Sequence, residues 1–188
     1  MMSVSRTARF LALGCVLLLG CSCVTIHADS DYYEAADFSK FQRYVWVAES
    51  PLIHSQSARV DISALTVRRI REAIERTLTD KGFELAADRD DAQFALSFTV
   101  GARDLITMND YPIFLRGSWE WGPPYYGPNV NPDMYTEGTL ALDVFDIATR
   151  EPVWHGWARK TIVGADVDDP KKTIDAAVAA ILEHFPPK

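Results

Sequence analysis

Chemistry near neutral pH needs a nucleophile, a proton carrier or a metal ligand held close to a second such group. The 188-residue sequence offers few such pairings. Its four histidines, His27, His54, His155 and His184, fall one to a segment, and H-E-x-x-H and G-x-S-x-G are both absent. Gly117-Ser118-Trp119 lacks the second glycine of a nucleophile elbow, and no phosphate-cradling glycine loop occurs. Two acidic runs, Asp88, Asp90 and Asp91, and Asp166, Asp168 and Asp169, carry oxygen donors suited to Ca²⁺. Neither has the length, central glycine and distal glutamate of an EF-hand loop. Asp88–Asp91 reads as a turn and Asp169 as a helix cap. Asp143 and Asp146 alternate with apolar residues on one strand and are expected to face solvent or a backbone donor. No catalytic residue, metal or cofactor is therefore expected, and the chain reads as a protein that is not an enzyme. A hydrolase is the most distant alternative.

One cysteine stands apart. Arg6 and Arg9 precede an apolar run from Phe10 to Leu19, and Gly20 separates that run from Cys21. Cations, a short apolar stretch and a small residue before the cut make a secretory signal. The run is about half of the roughly 20 apolar residues that span a bilayer. Leu18-Leu19-Gly20-Cys21 resembles the lipobox of bacterial lipoproteins, whose cysteine thiol receives a diacylglyceryl group before cleavage. The resemblance implies a signal peptide over 1–20, lipidation with palmitate-type chains at Cys21, and a membrane partner reached through that lipid. Ser22, rather than an acid, follows Cys21, which favours the outer membrane, with the domain on the periplasmic side.

Composition agrees with that compartment. Arg6 and Arg9 leave with the signal, so the 19 basic residues become 17 against 26 acidic ones, a net charge of −9. Such a balance argues against nucleic acid as a partner. Cys15 leaves too, and only Cys23 remains as a free thiol, so the domain must be held by packing alone.

The elements follow from periodicity. Residues 21–37 read as a lipidated N-terminus and flexible tether, and the 16 residues after Cys21 reach about 50 Å when stretched. Residues 38–188 read as one domain. Arg43–Val47 is a short strand, Glu49–Arg59 a loop, and Phe83–Leu85 and Phe94–Val100 further strands. Val67, Ile70, Ile74 and Leu78 form a helical stripe that Asp61 or Ser63 can cap and Gly82 can end. Thr139–Phe145 and Val153–Val163 pair as a hairpin, and Asp169-Pro170 opens a last helix lined by Ile174, Val178, Ile181 and Phe185. The expected fold class is α+β, with one mixed, mostly antiparallel sheet and two helices packed on one face.

Between the strands, residues 109–134 concentrate prolines, glycines and large rings. Trp119, Trp121, Tyr125 and Tyr126 there are the candidate binding residues, since Trp and Tyr dominate recognition hot spots. They could equally fold back over the bare sheet face.

Several segments together resemble the bacterial lipoproteins that share the domain of unknown function 4136. They are Asp37-Phe38-Ser39 with Tyr44-Val45-Trp46, Ile74…Leu78…Lys81-Gly82-Phe83, Glu137-Gly138-Thr139-Leu140, Pro152-Val153-Trp154-His155-Gly156, and Phe185-Pro186-Pro187. His155 stands where a basic residue is commoner in that family. The resemblance implies an envelope lipoprotein with an α+β domain and imports no activity. The functional expectation is a lipid-anchored envelope protein with a scaffolding or protein-binding role. The alternative is a module that binds a glycan or small ligand through the 109–134 loop.

Overall fold

The computed structural model describes residues 25–48, 51–58, 60–107 and 133–187. Among the described residues seven strands and three α-helices follow in order: β1 (His27–Tyr32), β2 (Arg43–Trp46), β3 (Leu52–Gln56), α1 (Ala64–Asp80), β4 (Glu84–Leu85), β5 (Phe94–Thr107), β6 (Asp133–Asp146), β7 (Pro152–Ile162), α2 (Gly164–Asp168) and α3 (Pro170–Leu182). The sheet order is β1-β7-β6-β5-β2-β4, and β3 joins the same edge of β5 beyond β2. Strands β1, β7, β6 and β5 are antiparallel neighbours, while β2, β3 and β4 pair in parallel. The expected α+β class with one mixed sheet holds.

Three boundaries differ from the sequence expectation. The 21–37 tether is not free throughout, because His27–Tyr32 forms β1 and pairs with β7 from His27↔Arg159 to Tyr32↔Trp154. The 49–59 loop contains β3, paired with β5 from Leu52↔Thr99 to Gln56↔Arg103. Both are edge strands that bury little apolar surface, so alternation is weak in them. The 109–134 loop is shorter than expected at its end, since Asp133 and Met134 already belong to β6 and pair with Thr107 and Ile106.

Helix α1 forms as its pattern dictates. Ser63 caps it, its hydroxyl accepting from Thr66 N–H at 3.2 Å, and Ile70, Ala73, Ile74 and Leu78 are buried on one side. Arg68 and Glu72 pair on the solvent side at 2.7 Å. Gly82 takes φ +92°, a conformation that costs side-chain-bearing residues. Phe83 N–H then donates to Leu78 C=O and Gly82 N–H to Thr79 C=O, both at 2.9 Å, the double closure of a Schellman ending. Helix α3 begins with Asp169 as cap, accepting from Lys172 N–H at 3.2 Å, and Pro170 in its first turn. Asp175 ties the helices together, accepting from Arg76 at 2.6 Å and Lys171 at 2.5 Å.

The even-numbered residues Phe94–Ala102 of β5, Gly138–Val144 of β6 and Trp154–Lys160 of β7 face the helices. They align in rows: Leu96, Val144 and Trp154; then Phe98, Leu142 and Gly156; then Val100, Leu140 and Ala158. Around the first rows gather Phe41, Phe83, Phe94 and Phe185, ring against ring at centroid distances of 5.0–5.9 Å. Gly156 is required by this packing. A Cβ there would run into the Trp154 ring and stand 2.8 Å from Ile181 Cγ2. Trp154 is 2 % exposed and Ile181 1 %, so neither has room to move.

Two substitutions test this core. Leu78→Ala removes a fully buried side chain and should cost about 2–5 kcal/mol. Gly156→Ala adds a single methyl where none fits and should cost about 1–3 kcal/mol by overpacking. Urea unfolding of both variants beside the parent chain measures the two losses.

Candidate functional site

Moving along β5–β7 from the ring-filled rows, the inward side chains shrink. Ala158 stands beside Leu140, and the next row is Ala102, Gly138 and Lys160. Helices α1 and α3 span both ends of this face. Where rings stand beneath them the gap is filled; over Ala102 and Gly138 it is filled only in part, the Ile162 side chain lying 2.9 Å from where a Cβ of residue 138 would stand. A cavity of about 310 Å³ results, floored by these small residues and roofed by Ile70 of α1 and Ile174 and Ala177 of α3. The segment 60–62, leading into α1, forms a side wall. Asp104 anchors the chain just before that segment, accepting from Ser57 Oγ at 2.7 Å, Ala58 N–H at 3.0 Å and Thr136 Oγ1 at 2.6 Å. Ile26, immediately before β1, lines the cavity, and the exposed Asp61 and Val167 mark its mouth.

One charged pair faces this apolar space. Lys160 lies on the inward side of β7, where its ammonium meets the carboxylate of Asp166 in α2, and both side chains are buried. Asp166 also accepts from Val163 N–H at 2.9 Å and Thr173 Oγ1 at 2.5 Å, so its two oxygens hold β7, α2 and α3 together. Burial pushes the Asp166 carboxyl up, but the hydrogen bonds from Lys160, Thr173 and the Val163 amide, with the Lys160 charge, outweigh it and hold it below the ordinary aspartate value. The pair is a fixed ionic clasp at neutral pH. The sequence carried one signal for it: Lys160 shares the inward parity of Trp154 and Ala158.

The candidates from sequence are spread more widely. Cys21 and the rings of Trp119, Trp121, Tyr125 and Tyr126 lie outside the described residues. The connection holding those rings joins strand ends that are paired at Thr107↔Asp133. Asp166, Asp168 and Asp169 do not converge on a common point, and among the described residues no group of three or more His, Cys, Asp or Glu side chains could hold a metal. Asp143 does not simply face solvent: it pairs across the strands with His155, Oδ1 to Nδ1 at 2.6 Å, on the sheet face away from the helices. Ser97 of β5 is aligned with Asp143, so the row runs serine, aspartate, histidine. A nucleophilic triad needs imidazole next to the serine; here the carboxylate stands between them. Asp146 meets the backbone donors rather than the solvent that the sequence allowed for it, and it is buried because it falls on the inward parity with Leu142 and Val144. It accepts from Lys40 at 2.7 Å and from the Ala148 and Thr149 amides at 2.7 and 3.2 Å.

Comparison with known proteins places this architecture. The family model described as "Domain of unknown function (DUF4136)" matches residues 28–187. The chain belongs to the DUF4136 family. Its fold is shared by a DUF4136 family protein from Bacteroides thetaiotaomicron, 17 % identical, with a TM-score of 0.55, covering 86 % of this chain and 96 % of that one. A PelC dodecamer from Paraburkholderia phytofirmans is similar at 11 % identity and a TM-score of 0.44, covering 84 % and 95 % of the two chains. A PDZ domain protein from Parabacteroides distasonis is similar at 12 % identity and a TM-score of 0.47, covering 87 % of this chain and 36 % of that one. No curated protein matches the sequence. Within this DUF4136 domain, the Gly138 and Trp154–Gly156 segments that carry the sequence resemblance have physical roles: one floors the cavity and the other closes the solid end of the core.

The clasp gives two predictions. Asp166→Ala leaves the Lys160 ammonium buried without its partner and should cost about 3–5 kcal/mol, whereas the double change Lys160→Met with Asp166→Leu should recover most of that loss. Denaturant midpoints of the three proteins decide it. Asp146, Asp166 and Asp175 all have carboxyl pKa values lowered by folding. Their stabilisation is therefore complete above the ordinary aspartate range and is lost as pH falls through the lowered folded values, because the unfolded chain binds protons first. A urea midpoint that declines only in that acid window, and less steeply in Asp166→Ala, is the expected outcome.

Proposed function

We propose that this protein is a lipid-anchored lipoprotein of the bacterial cell envelope, on the periplasmic side and favouring the outer membrane, whose domain binds rather than catalyses. The observation that carries the binding role is the apolar cavity, whose two buried charged wall residues, Lys160 and Asp166, are committed to each other. A general acid or base must exchange its proton near the working pH. Asp166 instead stays ionised under the Lys160 ammonium, the Thr173 hydroxyl and the Val163 amide. A space of about 310 Å³ lies at the lower end of the range for small-molecule pockets, about 300–1,000 Å³. The small-ligand alternative is thus favoured at this cavity, whereas the sequence had pointed to the rings of 109–134.

Anchoring rests on the Leu18–Cys21 segment, and β1 sharpens its consequence. Only the five residues 22–26 separate Cys21 from His27, so the reach of the free chain is at most about 20 Å. The domain is then held against the membrane surface, where the long 21–37 tether would have let it stand off. Among the described residues no helix is long and apolar enough to cross a membrane. Two or three acyl chains at about 0.8 kcal/mol per buried CH₂ would hold the protein firmly.

Cys21→Ala tests the anchor. Metabolic labelling with radioactive palmitate should mark the parent protein and not the variant, and the variant should appear as uncleaved precursor or soluble protein after fractionation. A Cys21→Ala protein that still incorporates palmitate would overturn the assignment.

A further inference from the structure

Resting on the lipid-anchored reading above, we propose that the cavity between the sheet and the helices α1 and α3 receives one acyl chain of the lipid carried on Cys21 of the same molecule. The cavity has the dimensions and lining for an alkyl chain. An apolar space of about 150 Å³ holds one benzene ring, so 310 Å³ accommodates roughly a dozen carbons. Its floor of Val100, Ala102, Leu140 and Ala158 and its roof of Ile70 and Ile174 supply hydrocarbon on both sides. The other half of this core face is packed with the rings of Trp154, Phe94 and Phe185.

Reach selects the occupant. Ile26 lines the cavity, and Cys21 lies five residues before it, no more than about 17 Å away along an extended chain. A chain on so short a leash is presented to the cavity at an effective concentration in the millimolar range without any diffusional search. Charge selects it as well. A free fatty acid or a phospholipid brings an anion, which wants an uncommitted cation at the mouth. Among the described residues lining the cavity, the Lys160 ammonium is held by Asp166. Arg159, exposed on the outward parity of β7, lays its guanidinium over the Trp157 ring at 4.3 Å on the face away from the helices. Asp61 adds negative charge at the rim. A diacylglyceryl group joined to sulfur carries no charge, so its alkyl chain enters without stranding an anion beside Asp61.

Cells supplied with a diazirine-bearing palmitate analogue would place the photoreactive chain on Cys21 of the full-length protein, and irradiation followed by peptide mass spectrometry locates its attachment. Intramolecular crosslinks to the β7 peptide containing Ala158 and the α3 peptide containing Ile174 and Ala177 are expected. Two variants obstruct the cavity: Ala177→Phe fills its roof, and Val167→Trp narrows its exposed mouth without touching the core. Each should reduce those crosslinks at least tenfold while the circular dichroism spectrum and melting temperature stay within the folded range. Should Ala177→Phe fail that folding check, Val167→Trp alone decides the comparison. Crosslinks confined to membrane phospholipid, or crosslinks that persist in a folded Val167→Trp protein, overturn the proposal while leaving the anchor intact. An intact mass showing no lipid on Cys21 overturns the anchor itself and removes the occupant with it.

Discussion

Two straight helices laid on a sheet face can be supported along their whole length only if the side chains beneath them keep an even height. In this domain that height falls steeply. Phe94, Phe98 and Trp154 stand at one end of β5–β7, and Ala102, Gly138 and Ala158 at the other. The ring-filled end has no slack, which is why Gly156 must lack a side chain. Above this face α1 and α3 are tied to each other by the Arg76–Asp175 pair, while Lys171 holds the same carboxylate from within α3. A hollow follows from the fall in height beneath them. It belongs to the fold as much as the core does.

The clasp of Lys160 and Asp166 belongs to the same constraint. A lysine on the inward side of β7 occupies part of the low end with its aliphatic stem while its ammonium requires a partner. Helix α2, only five residues long, brings Asp166 to it, and Thr173 of α3 completes the set. Replacing such a pair by well-packed apolar residues is often neutral or stabilising. Its value here is geometric. It fixes where α3 begins relative to β7, and therefore the width of the hollow.

Much of this was legible in the sequence wherever burial was one-sided. The stripe Val67, Ile70, Ile74 and Leu78, the Gly82 ending and the β6–β7 hairpin were all readable, because each buries one face and exposes the other. Strands β1 and β3 were not. In β1 (HADSDY) the half-buried positions hold only Ala28 and Ser30, and all five residues of β3 are exposed. Such strands are held by backbone pairing, which leaves no compositional trace. The cavity was equally hidden, since a single sequence does not say that Ala102 and Gly138 will lie side by side with Ala158 in the neighbouring row. Only the register places them together. Asp143 and Asp146 show the same gap: three residues apart on one strand, they face opposite sides, and one is bound by His155 while the other is buried under Lys40.

The pairing of β1 with β7 also governs the order of events in folding. His27 and Arg159 are partners separated by most of the chain, so the first described strand to be made must wait for the last. Until β7 arrives, the polar β1 has no ladder to join, and it buries too little apolar surface to fold alone. Once β7 has arrived but before β1 docks, an unpaired edge beside Trp154 and Trp157 stands open to neighbouring chains. Contacts of such long sequence separation slow folding. The acids of β1, Asp29 and Asp31, then act as a safeguard: a strand that carries charge on alternate residues makes a poor seed for aggregation while it waits.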